Sequence, residues 1–286
     1  MAATGAACVA YGTFIERRWF RAREVRVPGV LAPGSPPFTI LHVSDIHLDP
    51  PDPRTVGFVR GLAGRPADLV VATGDLLGEF DAEDAAVELL GALTAGGTPG
   101  LAVLGSHDVY GPTRVNPFAY FRERGPETDG PRLQTKRLVA GLEDAGWRVL
   151  TNERAVVDTA RGPIAVAGLE DPHLRKRRLP PADEVACPDG EWTLRLGLVH
   201  APYLRAVGML ADAGYDLVLS GHTHGGQVRL PGIGALVGNC DLPLDQIRGL
   251  SRVGHAWLHV SPGLGTSKYA PFRFACRPEA TFLVLT

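Results

Sequence analysis

The sequence of 286 residues lacks a close pair of cysteines and an excess of basic charge, and its N-terminal apolar run is short. The four cysteines lie far apart, at Cys8, Cys187, Cys240 and Cys276. This spacing excludes a zinc ribbon and a dense disulfide framework, and it suits a reducing compartment. Lysine and arginine number 29 against 31 acidic residues, so the net charge of −2 argues against nucleic acid as the main partner.

The N-terminal run, "AATGAACVAYGTFI" at 2–15, is shorter than the roughly 20 residues that a bilayer-spanning helix needs. It has no basic region before it and is a poor signal peptide, but five arginines follow it within residues 17–26. Two interpretations stay open: a packed N-terminal helix with a solvated end, or a segment that rests on an anionic membrane surface. We expect residues 1–37 to form this segment and residues 38–286 to form one domain. The expected location is cytoplasmic, with peripheral membrane contact through the N-terminus as an addition.

Apolar runs alternate with helical patterns in the first half of the chain. Residues 38–44, 68–73 and 100–105 are typical of buried strands, and helical patterns at 55–64 and 82–93 separate them. A further helix is predicted at 134–146, stopped by Gly146. The later strands are predicted at 148–152, 154–159, 163–168, 193–200, 215–221, 255–261 and 280–286. This pattern predicts an α/β sandwich of two sheets with helices outside.

Polar side chains follow the predicted strands at the point where each strand ends. They are Asp45 and His47 in "SDIH", Asp75 in "TGD", Ser106, His107 and Asp108 in "GSHD", His200 in "LVH", and His222 and His224 in "SGHTHGG". Open α/β sheets bind their ligands at the carboxyl ends of strands, so we expect these side chains to meet there.

Two carboxylates and four imidazoles in this set offer mixed oxygen and nitrogen ligands. Such a set suits two divalent or trivalent ions of manganese, iron or zinc, with manganese expected first. A carboxylate can bridge two ions about 3.5–4 Å apart, and such a pair stabilises both the attacking and the leaving oxygen in a displacement at phosphorus. The motif "GHTHGG" is a stronger signal than the others, each of which is weak alone, but all of them in this order after strands favour a functional metal centre over coincidence.

The motifs "SDIH", "TGDL", "GSHD", "LVH" and "SGHTHGGQV" together resemble those of the calcineurin-like metallophosphoesterases. The resemblance is greatest to the bacterial branch whose members often carry an N-terminal membrane segment. It runs from about residue 38 to the end and includes "GLEDPH" and "SPGLGTS". It implies a four-layer αββα sandwich of two mixed β-sheets flanked by helices, with a dinuclear metal centre.

The resemblance also implies a role for each motif residue. The ligands would be Asp45, His47 and His224 for the first ion, His200 and His222 for the second, and Asp75 as the bridge between them. His107 would contact the substrate phosphate or protonate the leaving group, and Asp108 would orient the His107 imidazole. A metal-bound hydroxide would attack phosphorus in line.

Ser106 departs from the family, whose motif usually has an asparagine with its amide oxygen on the second ion. A serine side chain is shorter, and its neutral hydroxyl is a weaker ligand. Ser106 therefore binds through a water, binds directly after a loop shift, or leaves the second site loose. We expect the bridging water, with weakened affinity for the second ion.

Several histidines outside the motifs are interpreted as structural. His42 lies inside the first strand, and His255 and His259 lie in a predicted strand, so they need not share a face with the site. Asp171 and His173 in "GLEDPH" either border the substrate pocket or form a turn built on Asp-Pro.

The expected substrate is a phosphodiester or a phosphomonoester, and the apolar and arginine-rich N-terminus makes a lipid head group a candidate. The run "RKRR" at 175–178 is a solvated face or a contact for an anionic substrate or lipid. The glycine-rich "GLGTS" at 263–267 is expected to be a turn, with a close approach to a phosphate as the alternative. The alternative function is a non-catalytic metal- and phosphate-binding module with a weakened second metal site. No nucleic acid is expected, and the oligomeric state is not predicted.

Overall fold

The computed structural model describes residues 2–49, 52–111, 130–174, 179–266 and 270–286. The α-helices in these ranges are α1 (Ala2–Ala10), α2 (Pro53–Leu62), α3 (Glu83–Thr94), α4 (Thr135–Asp144) and α5 (Leu204–Asp212). The strands are β1 (Arg21–Val27), β2 (Phe38–Val43), β3 (Leu69–Thr73), β4 (Gly100–Val103), β5 (Trp147–Val149), β6 (Glu153–Thr159), β7 (Gly162–Gly168), β8 (Leu194–Leu198), β9 (Leu217–Ser220), β10 (Arg229–Leu230), β11 (Gly234–Ala235), β12 (Gly249–Val253), β13 (Ala256–Val260) and β14 (Glu279–Leu285).

These strands form two six-stranded mixed sheets and a small hairpin. The first sheet has the order β1-β14-β2-β3-β4-β5, with β2 to β5 parallel and β14 antiparallel to β2. The second has the order β12-β13-β9-β8-β7-β6, parallel from β13 to β7, with antiparallel strands at both edges. The hairpin pairs β10 with β11. Parallel neighbours end at the same edge of a sheet, which brings the loops after them together.

Alternation along the strands gives each sheet two apolar faces. In β2, Leu41 and Val43 belong to the core beneath the helices, whereas Phe38 and Ile40 belong to the core between the sheets. Successive side chains of a strand point to opposite faces, which explains this period of two. A strand buried on both faces reads as a continuous apolar run, as the sequence of β2 does.

Helices cover the outer face of each sheet. Val59, Leu89 and Leu138 extend from α2, α3 and α4 into the core over the first sheet. Val207 and Leu210 extend from α5 into the core over the second. The layers are therefore helices, sheet, sheet and helix, and the predicted four-layer αββα sandwich is confirmed.

Local signals set the helix ends close to their predicted positions. Asp52 accepts a hydrogen bond from the Arg54 backbone N at 3.0 Å and caps α2, whose first residue is Pro53. The chain leaves α4 through Gly146, which has a φ of 85° that glycine adopts without strain.

The described residues also form strands and a helix that were not predicted from the sequence: β1, β10, β11, β12 and α5. β1, "RAREVRV", is mostly exposed at the sheet edge and lacks the apolar pattern of the buried strands. α5 is nine residues long, which is shorter than the window over which helical periodicity becomes clear.

The N-terminal segment joins the sandwich through β1 and through one buried carboxylate. β1 runs parallel to β14 along the edge of the first sheet. The Glu16 carboxylate is buried and accepts hydrogen bonds from the backbone N of Ala275 at 2.9 Å and of Cys276 at 2.6 Å. None of the helices in the described ranges has the length and apolar character that a bilayer crossing requires.

Candidate metal centre

Six of the predicted site residues meet in two groups at the carboxyl ends of the strands. The first group is Asp45, His47 and His224, and the second is Asp75, His200 and His222. In each group, one ligand atom from each residue lies within 4.8 Å of the others. The residues follow β2, β3, β8 and β9, so both sheets contribute to the centre.

The first group is compact and shielded from solvent. The Nε2 atoms of His47 and His224 lie 3.2 Å apart, and Asp45 Oδ1 lies 3.7 Å from His224 Nε2. All three residues are buried. The backbone N of His222 donates to both carboxylate oxygens of Asp45 at 3.0 Å, which holds this carboxylate in place.

The second group is arranged around Asp75. Its Oδ2 atom lies 3.2 Å from His200 Nε2, and His200 Nδ1 donates a hydrogen bond of 2.6 Å to the Thr73 carbonyl. His222 Nε2 donates to the Asn239 carbonyl at 3.1 Å. Each imidazole therefore uses one nitrogen as a backbone hydrogen-bond donor and turns the other towards the group, as metal-ligating histidines do.

Asp75 connects the two groups. Its Oδ2 atom lies 3.7 Å from His47 Nε2 in the first group, besides the 3.2 Å to His200 Nε2 in the second. Its Oδ1 atom accepts a hydrogen bond from the His107 backbone N at 2.9 Å.

The donor set fits metal ions. His200 Nε2 is buried and has no hydrogen-bond partner among the described residues, although it lies next to the Asp75 carboxylate. A buried nitrogen without a partner is costly unless it binds something else. Carboxylate oxygens and imidazole nitrogens at these separations would bind a divalent ion of the manganese, iron or zinc type.

Burial dominates the protonation of the imidazoles in the first group and of His222. It lowers the pKa of His47 to about 3 and the pKa values of His222 and His224 well below the ordinary value. These rings are neutral and present a lone pair. Burial also raises the pKa of Asp45 to about 7.

His200 and Asp75 form a charged pair. Burial alone would lower the pKa of His200, but the negative charge of Asp75 outweighs it and raises the pKa well above the ordinary value. Burial alone would raise the pKa of Asp75, but the charge of His200 outweighs it and lowers the pKa. A metal ion at this group would have to displace the proton from His200.

His107 and Ser106 lie in the turn after β4, next to both groups. The His107 ring is partly exposed, its centroid lies 4.9 Å from that of His47, and a ligand atom of His107 forms a further group with His47 and Asp75. Ser106 is buried at the start of this turn. Its ligation to an ion stays a prediction.

Asp108 has different contacts from those expected. Its Oδ1 accepts hydrogen bonds from the backbone N of Leu76 at 2.7 Å and of Leu77 at 3.1 Å, and its Oδ2 accepts one from Gly105 N at 2.9 Å. The family resemblance implied that this carboxylate would orient the His107 imidazole. In the structure it ties the loop after β3 to the loop after β4, because those loops leave three backbone donors pointing at one buried position.

The backbone of the centre is strained and closely packed. Five of the six residues in the two groups have positive φ: Asp45 (48°), His47 (44°), Asp75 (52°), His222 (69°) and His224 (49°). Non-glycine residues rarely adopt this region, and those that do cluster at functional sites. A Cβ at Gly221 would collide with Ser44 Oγ, and one at Gly105 would collide with Asp75 Oδ1.

Two residues beside the centre were not assigned to it from the sequence. The His173 ring centroid lies 4.5 Å from that of His222, so the "GLEDPH" segment borders the site. Arg273 is fully buried, donates to the carbonyls of Pro262 and Gly265, and lies 3.3 Å from His224 Nδ1. The motif "GLEDPH" was a sequence signal for His173. Arg273 belongs to no such motif, so no sequence signal pointed to it.

The remaining residues interpreted as structural lie in different places. His42 and His259 are buried and hydrogen-bonded to each other at 2.9 Å, whereas His255 is exposed. In the "GLGTS" segment, the Gly265 backbone N donates to the Asp45 carbonyl at 2.6 Å. Residues 175–178, the "RKRR" run, lie outside the described ranges.

Comparison with known proteins identifies relatives across nearly the whole chain. A family model described as calcineurin-like phosphoesterase matches residues 38–226. The chain is 30% identical over 282 residues to phosphodiesterase YaeI of Escherichia coli (strain K12), covering 96% of this chain and 92% of that protein. It is 30% identical over 256 residues to the uncharacterized metallophosphoesterase YkoQ of Bacillus subtilis (strain 168), covering 87% of this chain and 84% of that protein. It is 31% identical over 262 residues to a transmembrane protein with metallophosphoesterase domain from Bos taurus, covering 89% of this chain and 54% of that protein.

Proposed function

The chain belongs to the calcineurin-like phosphoesterase family, and on that premise we propose that it hydrolyses phosphodiesters at a centre of two metal ions. The observation that supports the two-ion centre most is the position of Asp75. Its Oδ2 atom lies 3.7 Å from His47 Nε2 on one side and 3.2 Å from His200 Nε2 on the other. A carboxylate between two groups of ligands is what a bridging ligand requires.

Each ion has its own ligands in this proposal. Asp45, His47 and His224 would hold the first, His200 and His222 would hold the second with Ser106 through a water, and Asp75 would be shared between them. When bound, the ions stabilise negative charge on the attacking and leaving oxygens and bring the pKa of water towards neutrality. Manganese is expected first, and iron and zinc suit the same ligands.

His107 is the proposed proton donor. Its imidazole is partly exposed beside His47, and its backbone N is held by Asp75, so the ring can reach a substrate phosphate. There it would contact a phosphate oxygen or protonate the leaving alkoxide. Asp108 supports this role by holding the turn that carries His107.

A groove of about 560 Å³ adjoins His47 and offers room for one alcohol group of a diester. Phe20, Arg17 and Arg18 from the N-terminal segment line one side of it. Arg18 Nε lies 3.9 Å from an Asp52 carboxylate oxygen. Arg17 Nε, in contrast, is buried and has no hydrogen-bond partner among the described residues. Asp49 and Asp52 also line the groove, so its charge is mixed, and Arg17 is the side chain that we propose receives an anionic part of the alcohol. The apolar lining would take the chain of a lipid head group.

The N-terminal segment that lines the groove also exposes apolar side chains. Val9, Phe14, Ile15 and Trp19 are each more than half exposed. Apolar side chains next to arginines bind anionic lipid surfaces. Peripheral membrane contact at this segment, in a cytoplasmic protein, would bring lipid phosphodiesters to the groove.

Activity measurements on metal-stripped protein test the reaction. Titration with manganese should restore hydrolysis of bis(p-nitrophenyl) phosphate, and Asp75→Asn and His107→Ala should each lower it by about 100-fold or more. The exposed residues Asp212 and His255 supply the matched controls, Asp212→Asn and His255→Ala. Undiminished activity of Asp75→Asn would contradict the two-ion centre. Metal binding without turnover of diester or monoester would support the non-catalytic phosphate-binding module instead.

Substrates with and without a lipid chain test the groove. Arg17→Gln should raise KM for phosphatidylglycerol in vesicles and leave kcat/KM for bis(p-nitrophenyl) phosphate unchanged. Arg60→Gln, on the exposed side of α2, is the control. Cosedimentation with phosphatidylglycerol vesicles, but not with phosphatidylcholine vesicles, is expected if the segment contacts anionic membranes. If Arg17→Gln impaired hydrolysis of phosphatidylglycerol and of bis(p-nitrophenyl) phosphate by the same factor, the assignment of the groove would be contradicted.

A further inference from the structure

A chain of hydrogen bonds between buried side chains crosses the sandwich from Asp45 to the second sheet. Ser44 Oγ donates to Asp45 Oδ2 at 2.6 Å, and Thr73 Oγ1 donates to Ser44 Oγ at 2.8 Å. His42 Nε2 lies 2.9 Å from Thr73 Oγ1, and His42 Nδ1 lies 2.9 Å from His259 Nδ1. All five residues are fully buried.

When Asp45 is ionised, only one assignment of donors and acceptors satisfies every hydrogen bond of this network. A carboxylate only accepts, so Ser44 donates to it and must accept from Thr73. The Thr73 hydroxyl has then used its proton and accepts from His42 Nε2–H. A neutral His42 protonated on Nε2 offers only a lone pair at Nδ1, so His259 Nδ1–H donates to it.

Burial supports the neutral state that this order needs. It lowers the pKa of His42 well below the ordinary value and the pKa of His259 to about 4. His259 Nε2, at the far end, is buried and has no hydrogen-bond partner among the described residues. Each hydrogen bond of this network thus has its donor on the side away from Asp45 and its acceptor on the side towards it.

We propose that His259, His42, Thr73 and Ser44 are positioning residues that fix the Asp45 carboxylate for the first metal ion. The proposal rests on the proposed role of Asp45 as a ligand. Ser44 engages Oδ2, and Oδ1 is the oxygen that lies 3.7 Å from His224 Nε2. The network therefore selects which oxygen faces the ion and limits rotation of the carboxylate.

Thr73 extends this effect to the second group. Its side chain belongs to the network, while its carbonyl accepts the 2.6 Å hydrogen bond from His200 Nδ1. One residue at the end of β3 thus orients a ligand of each ion. Partners of this kind typically change metal affinity or activity by 10–100-fold when they are removed.

The positions of the histidine protons give a direct test in the wild-type protein. Long-range proton–nitrogen NMR correlations on zinc-loaded wild-type protein, in which Asp45 would be ionised, report which nitrogen is protonated in each ring. We expect His42 protonated on Nε2 and His259 on Nδ1, with signals assigned by their loss in His42→Gln and His259→Gln. His42 protonated on Nδ1 would overturn the proposed order.

A pair of substitutions at Thr73 separates positioning from packing. Thr73→Val removes the hydroxyl and keeps the shape and the carbonyl, whereas Thr73→Ser keeps the hydroxyl. Calorimetric titration of metal-stripped protein with manganese should show about 10–100-fold weaker binding of the first ion in Thr73→Val. Thr73→Ser should bind nearly as wild type does, and thermal melting without metal checks that each variant folds.

The outcomes distinguish this proposal from the proposed function. Wild-type affinity in a folded Thr73→Val overturns the network's role and leaves the two-ion centre intact. Equal losses in Thr73→Val and Thr73→Ser also overturn it, since packing would then explain both. Wild-type protein that binds no manganese contradicts the proposed function and this role together.

Discussion

Replacing Ser106 by asparagine should strengthen binding of the second metal ion. Ser106 is buried, and the turn it begins is held from both sides. Gly105 N donates to Asp108 Oδ2 at 2.9 Å, and Tyr110 N donates to the Ser106 carbonyl at 2.9 Å. The backbone is therefore not free to bring the short serine hydroxyl closer to an ion. An asparagine amide oxygen reaches about 1 Å further from Cβ, judged from standard bond lengths.

The size of the effect follows from exchanging a water-mediated contact for a direct one. A polar contact to a charged partner contributes about 1.5–3 kcal/mol when it is formed at a buried position. Each 1.4 kcal/mol is tenfold in affinity, so the second ion should bind about 10–100-fold more tightly in Ser106→Asn. The first ion should bind as before, because the three ligands that it would not share with the second ion come from the loops after β2 and β9.

Calorimetric titration of metal-stripped protein with manganese resolves two binding phases if the ions differ in affinity. The phases should lie closer together in Ser106→Asn, whereas Ser106→Ala should match wild type or bind the second ion more weakly. Ser35→Asn, in an exposed loop, controls for the introduced amide. An unchanged second phase in folded Ser106→Asn would refute the reasoning.

Three further changes test the surroundings of the centre and the sheet edge. Gly221→Ala should lower the melting temperature of the metal-free protein, because its Cβ would collide with Ser44 Oγ. An unchanged melting temperature would show that the loops after β2 and β9 can move apart. Asp108→Asn should lower the free energy of unfolding by about 3 kcal/mol, measured in urea, because an amide cannot accept three hydrogen bonds as the ionised carboxylate does. Burial would raise the pKa of Glu279, but the charges of Arg248, Arg21 and Arg23 outweigh it and lower the pKa. Its contribution to stability is therefore present above the ordinary pKa and is lost as the pH falls through the lower folded pKa. Glu279→Gln should flatten the urea stability profile below the ordinary glutamate pKa of about 4.3, whereas the exposed control Glu24→Gln should not.

The motif positions were predictable because strand ends converge in an α/β sheet. Asp45, Asp75 and His200 each follow an apolar run, and the carboxyl ends of parallel neighbours must share an edge. The apolar runs also predicted the layers, since a strand buried on both faces needs covering on both sides. The edge strand β1 escaped prediction because half-exposed arginines give no burial signal.

The hydrogen-bond network was partly visible in the strand pattern. Ile40 and Val71 face the second sheet, so His42 and Thr73, two residues further on, must face it too. The sequence therefore places two polar side chains in an apolar layer, but it does not pair His42 with His259 across the sandwich. Arg273 and the groove at Arg17 depend on how distant segments pack, and no local pattern predicts them.

The loops after β2 and β3 form one unit, which explains how strained ligand residues are held. Asp45 N donates to the Gly74 carbonyl at 2.9 Å, and His47 N donates to the Asp75 carbonyl at 3.0 Å, so the pairing of the two strands continues past their ends. A positive φ at a non-glycine residue costs about 1–3 kcal/mol and persists only where surrounding contacts determine it. These shared hydrogen bonds are such contacts. A substitution in either loop should therefore displace ligands of both ions, whereas separate loops would let one ion change alone.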